Sequence, residues 1–364
     1  MSSSLAIVGG APGDVVIVDG MIEAGPPPPG CAVLDASGGF VAAGFIDMQV
    51  NGAHGVDLAS RPEAIDELAA VLPQYGVTAF CPTIVSSPPW VVARALGSGR
   101  GGVGAVPLGL HLEGPMLNAR RRGAHDARWL RTPGPDVIEG WSRASGVAMV
   151  TLAPELPGAL DVVRALRARG VVVAAGHTEA TEDEFVAGVE AGITAVTHLF
   201  NAMRPFGHRD PGPAGATLAR PDVVAGLIVD GVHVAPTAVA AAWKALAPDR
   251  LMLVTDAVAA LGLPTGPVQL GSMAAVAGPA GVRLPDGTLA GSTLSMDRAV
   301  RNFMAFTGCS LAAAVRCASA TPAALLGDSS RGRLEPGRRG DVVVLSPDGF
   351  VVATVVAGEV VWKS

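Results

Sequence analysis

The sequence predicts an α/β protein: a closed (β/α)8 barrel carrying a small β-sandwich built from the two ends of the chain. Three observations predict it. Eight short β-like runs alternate with alanine-rich helical stretches, the two ends share a valine-rich hairpin character, and polar residues collect at the C-terminal tips of the runs. A chain of 364 residues, 49% hydrophobic, is long enough for one large domain or for one large and one small.

The ends come first. "DVVIVDGMIEAG" near the start and "GDVVVLSPDGFVVATVVAGEVVW" at the finish are punctuated by Asp-Gly and Pro-Asp-Gly, which are hairpin signals. Neither end has enough strands to bury a face alone, so the two are expected to pair. The expected division is residues 1–42 and 333–364 for the sandwich and 43–332 for the barrel. A β-hairpin insertion is expected near 267–290, turning on Asp286-Gly287.

Between the ends, β-like runs fall at Phe45–Gln49, Thr78–Pro82, Leu108–Leu112 and Ala148–Ala153. The other four are Val171–Ala175, Thr194–Thr197, Ala225–Val229 and Leu251–Thr255. Most gaps hold helical stretches such as "ALDVVRALRARG", "TEDEFVAGVEAG" and "PTAVAAAWKALAP", and several stop at Gly or Pro. Strands alternating with helices argue for parallel βαβ units, and eight of them suggest closure. An open dinucleotide-binding sheet would want a Gly-rich phosphate turn after its first strand, and "QVNGAHG" is not one.

Composition excludes several classes. A net charge of −6 from 26 basic and 32 acidic residues gives nucleic-acid binding no electrostatic support. The one basic run, Arg120–Arg122, reads as a solvated loop. The cysteines Cys31, Cys81, Cys309 and Cys317 form no CxxC pair and no even framework, as expected of buried free thiols in a reducing compartment. No export signal or membrane span is legible, which points to a cytoplasmic protein.

The tips of the runs carry the chemistry. The third delivers Glu113 in "GLHLEGP", the fifth His177 and the sixth His198. The seventh leads to His233 in "DGVH", and the eighth gives Asp256 in "LVTDA". In a (β/α)8 barrel all such tips meet at one rim. A buried carboxylate needs a partner, and one carboxylate with two imidazoles makes a catalytic metal set with a position left open for water. A divalent ion there lowers the pKa of bound water to about 7, so that it supplies hydroxide as the nucleophile. Asp256 is left over to take the water's proton and pass it to a leaving group.

"HLEGP", "GHT", "THLFNAM", "DGVH" and "LVTDA", in that order, closely resemble the N-acetylglucosamine-6-phosphate deacetylase family of the amidohydrolase superfamily. The resemblance covers nearly the whole barrel, and the flanking β-segments fit the family's small split domain. It implies Glu113, His177 and His198 as metal ligands and Asp256 as the catalytic acid/base. His125, in "RRGAHD", would help polarise the acetyl carbonyl and, with Ala124, touch the substrate. Asn201 and Ala202 match positions that bind the sugar phosphate, joined by Arg209 in "GHRDPG" and by His233. Leu289, Ala290 and Gly291, in "LAGS", match a loop that closes over the sugar. A homodimer is implied, with Arg209 reaching across to the neighbouring site.

Many members of the superfamily carry His-x-His on the first strand to hold a second metal. Here "DMQVNG" offers Gln49 and Asn51. Amides are poor ligands for such ions, so one divalent metal per chain is expected: zinc first, with iron, manganese or cobalt as alternatives. His54, three residues beyond, is a candidate substitute ligand at a spacing that does not suit it. The implied reaction is hydrolysis of the acetamide of N-acetyl-D-glucosamine 6-phosphate to glucosamine 6-phosphate and acetate. Three rivals stay open: the galacto sugar as substrate, a dihydroorotase-type ring opening, and a non-catalytic scaffold. The second would want His-x-His and commonly a bridging lysine, and the barrel segment offers only Lys244.

Overall fold

The computed structural model of the chain describes residues 3–98 and 102–364. Eight parallel strands form the barrel in sequence order: Phe45–Val50, Val77–Val85, Leu110–Glu113, Val147–Leu152, Val172–Ala175, Ala195–Val196, Val224–Leu227 and Leu251–Leu253. The expected fold class holds, and all eight runs are strands. Their residues are almost all buried, because helices cover the outside and side chains fill the inside. Valine and alanine therefore run on without polar alternation.

The eighth strand does not pair directly with the first. Closure comes one step later, where Val50 bridges Ala257 and the N–H groups of Asn51 and Gly52 both donate to the Ala257 carbonyl, at 2.8 and 3.0 Å. The barrel is thus sealed at its C-terminal rim, next to Asp256.

Helices follow most strands. Glu182–Ala191 starts at a capping box in which Thr181 and Glu184 satisfy each other's backbone N–H groups. The turn Leu72–Tyr75 ends at Gly76, whose φ of +78° lets the chain reverse into the second strand. No α-helix links the third and fourth strands. Residues 114–146 hold only the short 3-10 turns Ala119–Arg121 and Ala127–Trp129, and this irregular stretch lies over the rim.

Below the rim the interior carries a polar layer. His111 donates through Nδ1 to the Met48 carbonyl at 3.1 Å and accepts through Nε2 from Thr151 Oγ1 at 2.7 Å. Thr151 in turn meets Thr197 Oγ1 at 2.6 Å. Burial pushes the His111 pKa down to about 4, so the imidazole is neutral and the layer needs no counter-charge.

Two four-stranded sheets built from the chain ends face each other. One orders Met21–Glu23, Val15–Val18, Ser4–Val8 and Ala32–Asp35. The other orders Glu359–Lys363, Val351–Val356, Val342–Leu345 and Phe40–Ala43. They share a core of Leu5, Ile7, Ile17, Val41, Val342, Val344 and Val355. After the eighth strand the chain makes a three-stranded antiparallel sheet, Gly266–Leu270, Met273–Gly278 and Gly281–Arg283. Its hairpins turn at Gly271-Ser272 and Pro279-Ala280, and Asp286-Gly287 forms a third turn beyond the sheet, which brings Leu289 back beside Arg283. The Gly271 N–H donates to Asp57 Oδ2 at 2.8 Å and Ser272 Oγ donates to Asp126 Oδ2 at 3.1 Å, so this insertion arches over the rim.

Candidate active site

Glu113, His177 and His198 stand at the ends of the third, fifth and sixth strands, and all three are buried. Glu113 Oε1 lies 3.0 Å from His177 Nε2 and 2.9 Å from His198 Nε2, and the two nitrogens are 3.1 Å apart. Among the described residues this is the one cluster of such side chains that can hold a metal ion. Burial disfavours a charge on Glu113. The hydrogen bonds and charges of the two imidazoles nonetheless hold its carboxyl well below the usual range, and Glu113 in turn raises His198.

The donor set fits a divalent cation. His177 Nδ1 donates to the Arg121 carbonyl at 2.8 Å. In the neutral ring Nε2 is then a lone pair, aimed at a carboxylate oxygen and a second imidazole nitrogen. Electron-rich atoms do not gather so closely without a positive charge among them. Ions of the zinc class take such ligands at about 2.0–2.2 Å, which puts ligand atoms about 2.8–3.1 Å apart at right angles and about 3.3–3.6 Å apart at tetrahedral angles. The observed spacings of 2.9–3.1 Å match the right-angle separation and are a few tenths of an ångström tighter than the tetrahedral one.

His125, on the loop after the third strand, is also buried, with Nε2 3.9 Å from Glu113 Oε1. Burial first and the neighbouring His177 second push its pKa down to about 3, so it is neutral. Asp256, at the end of the eighth strand, has its pKa raised to about 6, chiefly by burial and then by the charge of Glu113. A carboxylate in this range can both accept and return a proton near neutral pH. His177 and Asp256 have φ of +51° and +49°, a left-handed backbone that costs roughly 1–3 kcal/mol each. Such strain is held where surrounding structure over-determines it.

These groups line one cavity of about 460 Å³. Its walls include Glu113, His177, His198, Asp256, Ala124 and His125. Asn201, Ala202 and His233 lie along another side, and Leu289, Ala290 and Gly291 close it from the insertion. His233 is oriented by Asp230, whose Oδ2 accepts from Nδ1 at 2.6 Å. Phe200 and Ala202 flank Asn201 with φ of +76° and +49°, an irregular turn closed by the Asn201 N–H, which donates to the His198 carbonyl at 2.9 Å. Arg209 stands apart: it is exposed and does not line the cavity of its own chain.

A family model of the amidohydrolase family matches residues 40–361. The chain belongs to the amidohydrolase family. This amidohydrolase is 41% identical to rat N-acetylglucosamine-6-phosphate deacetylase over 355 residues, which cover 91% of this chain and 85% of that protein. The solved N-acetylglucosamine-6-phosphate deacetylase of Thermotoga maritima superimposes with a TM-score of 0.89 at 34% identity, covering 100% of this chain and 99% of that one. The Mycobacterium smegmatis deacetylase, solved as an aspartate-to-alanine mutant in complex with N-acetyl-D-glucosamine-6-phosphate, gives 0.89 at 35% identity with 100% of both chains covered. The family is typically metal-dependent, and the Glu113–His177–His198 cluster is the corresponding place here.

Several features of this amidohydrolase escaped the sequence reading. Arg120–Arg122 is not a merely solvated run. Arg120 and Arg121 line the cavity and pair with Glu179, the Arg121 carbonyl orients His177, and Arg122 Nη1 donates to the His125 carbonyl at 2.8 Å. The stretch has no helix to absorb its backbone, so its own carbonyls and guanidinium groups order the site. His54 is turned away. Its Nε2 meets Tyr75 Oη at 2.9 Å and Gln74 Nε2 at 2.8 Å, outside the cavity. Lys244 is exposed on the helix Pro236–Arg250 and bridges nothing in the cavity. Gln49 and Asn51, read only as a missing second metal site, both contact Asp256. Asp57, Arg283, Leu270 and Met273 also line the cavity, and nothing in their spacing announced it.

Proposed function

We propose that this amidohydrolase hydrolyses the acetamide of N-acetyl-D-glucosamine 6-phosphate, releasing acetate and D-glucosamine 6-phosphate. One observation carries the reading. Glu113, His177 and His198 converge beside Asp256 and His125 on a single cavity, in a chain 41% identical to a curated deacetylase of that name.

Glu113, His177 and His198 would hold one divalent ion, zinc first, with iron, manganese and cobalt accepting the same donors. When bound, that ion polarises the amide carbonyl and makes water nucleophilic at neutral pH. His125 donates through Nε2 to the carbonyl oxygen as it gains negative charge, a contribution that grows in the transition state. Asp256 accepts the proton of the attacking water. It then delivers that proton to the sugar nitrogen as the C–N bond breaks, so that the amine leaves neutral. Ala124 sits beside the acetamide. Asn201, Ala202 and His233 hold the sugar phosphate, with Leu289, Ala290 and Gly291 over the ring.

Arg209 completes the phosphate site from a second copy of the chain, which makes the working form a homodimer. Support comes from its exposure, its absence from its own chain's cavity, and the exposed Phe206 beside it. Among the described residues no helix is long and apolar enough to cross a membrane, and we place the enzyme in the cytoplasm, where sugar phosphates occur. The deciding experiment is acetate release from N-acetylglucosamine 6-phosphate by chelated and then metal-restored protein. Restored protein that leaves this sugar intact yet releases acetate from the galacto isomer would overturn the assignment.

A further inference from the structure

The end of the first barrel strand sends two neutral amides to one carboxylate oxygen. Gln49 Nε2 donates to Asp256 Oδ1 at 3.0 Å, and Asn51 Nδ2 donates to the same atom at 2.7 Å. All three residues are buried. The other oxygen, Oδ2, receives no hydrogen bond from the described residues, and Asp256 lines the cavity. We propose that Gln49 and Asn51 are positioning residues that reserve Oδ1 of Asp256 as a fixed anchor and leave Oδ2 as the oxygen that carries the proton. The inference rests on the reading of Asp256 as base and acid given above.

A free carboxylate has two equivalent oxygens, and rotation about Cβ–Cγ exchanges them. Two charge-assisted hydrogen bonds on one oxygen end that equivalence. They draw electron density from Oδ1 and make it the poorer base. The proton lost by the attacking water therefore forms its bond at Oδ2, on the cavity side. Oδ1 then becomes carbonyl-like and still accepts from both amides, so the clamp survives the change of state. The proton leaves Oδ2 for the sugar nitrogen as the C–N bond breaks, and the carboxylate is regenerated.

The orientation of Asn51 follows from the same chemistry. An ionised carboxylate can only accept, so Nδ2 must face it. Asn51 Oδ1 is then left buried without a partner among the described residues. That is an expensive arrangement, and it marks the contact with Asp256 as the one the site retains. The clamp is also tied to the segment it holds. The Asn51 N–H donates to the Ala257 carbonyl at 2.8 Å, next to Asp256. Neutral amides keep their donors at every pH, which imidazoles at the same positions would not do.

The test uses the metal-loaded enzyme and near-isosteric apolar variants, Gln49→Met, Asn51→Leu and the double variant, with Asp256→Asn in parallel. Steady-state constants for N-acetylglucosamine 6-phosphate are measured together with metal content per chain. Each single variant is expected to lower kcat about tenfold and the double about a hundredfold, with KM within about threefold of wild type. Metal content is expected to stay unchanged. If Asn51→Leu fails to fold, Gln49→Met alone carries the test. Wild-type kcat in Gln49→Met or the double variant, alongside an inactive Asp256→Asn, overturns the clamp and leaves Asp256 as the base. An Asp256→Asn enzyme at wild-type turnover overturns both. Loss of activity that tracks loss of metal, or a change confined to KM, also overturns the clamp.

Discussion

The backbone N–H of Ser86 points at Nδ1 of His125 across 3.1 Å, and Ser86 Oγ stands 3.0 Å from the same nitrogen. A nitrogen that accepts from a backbone N–H cannot carry its own proton. The neutral ring therefore holds its hydrogen on Nε2, the atom facing Glu113 and the cavity. Ser86 thus sets the tautomer that a carbonyl-polarising histidine requires. Replacing His125 with alanine should lower kcat by about 10²–10³, the usual loss for one donor to a developing oxyanion. Metal analysis of the same preparation should give the wild-type content, and a depleted sample would instead place His125 among the ligands.

Changing Asp256 to asparagine keeps the shape and removes the base proposed above. Turnover is expected to fall about 10²–10⁴-fold, with metal content held at the wild-type level. Single-turnover acetate release measures this directly.

Glu113, His177 and His198 bring three ligand atoms within 3.1 Å of one another, so metal binding to the folded chain should stabilise the fold. Titrating zinc into chelated protein is expected to raise Tm, by about 2.7 kcal/mol of added stability at a hundredfold excess over Kd. The same titration on Glu113→Gln or His177→Ala should leave Tm nearly flat. A full rise in either variant would place the ion elsewhere.

Asp47 lies inside the barrel wall, where Thr255 Oγ1 donates to its Oδ2 at 2.5 Å and the Thr255 N–H to its Oδ1 at 3.3 Å. Burial raises its pKa to about 7. The unfolded chain releases this proton near pH 4, so between about pH 4 and 7 the folded state binds one proton more. Its stabilising contribution is complete below that window and is lost as pH rises through it, at about 1.4 kcal/mol per pH unit. Asp47→Asn should remove this slope. Denaturant melts at pH 5 and pH 8 should bring wild type and variant closest at the lower pH.

Arg209→Ala is expected to raise KM for N-acetylglucosamine 6-phosphate by about 10–100-fold, as for loss of a charged hydrogen bond to phosphate. Unphosphorylated N-acetylglucosamine should be scarcely affected. Equal losses on both sugars would remove Arg209 from phosphate recognition, and a monomer by sedimentation would remove it from a partner's site.

The barrel was legible because buried parallel strands are apolar throughout and cannot be mistaken for solvated segments. The strand tips were legible because Glu113, His177, His198 and Asp256 are polar residues at the ends of such runs, where nothing but a site explains them. Gln49 and Asn51 sent a weaker signal. An amide has no charge to account for, and its value here depends on a carboxylate more than 200 positions away. Ser86 sent none, since its main contribution is a backbone N–H that every non-proline residue carries. Arg120–Arg122 misled because a cationic run looks the same whether it faces bulk water or holds carbonyls in place.

The strand Phe40–Ala43 lies against Val342–Leu345, with Phe40 opposite Leu345. One sheet therefore joins residues 40–43 to residues 342–345, and the eight-stranded wall lies between them in the chain. A nascent chain leaving the ribosome cannot zip that sheet until the strand Val342–Leu345 has followed the whole barrel out. Pairing over such a separation is slow, and until it forms apolar edges stay uncovered. Maturation should accordingly be a late, all-at-once event, and shortened translation products should be prone to aggregate.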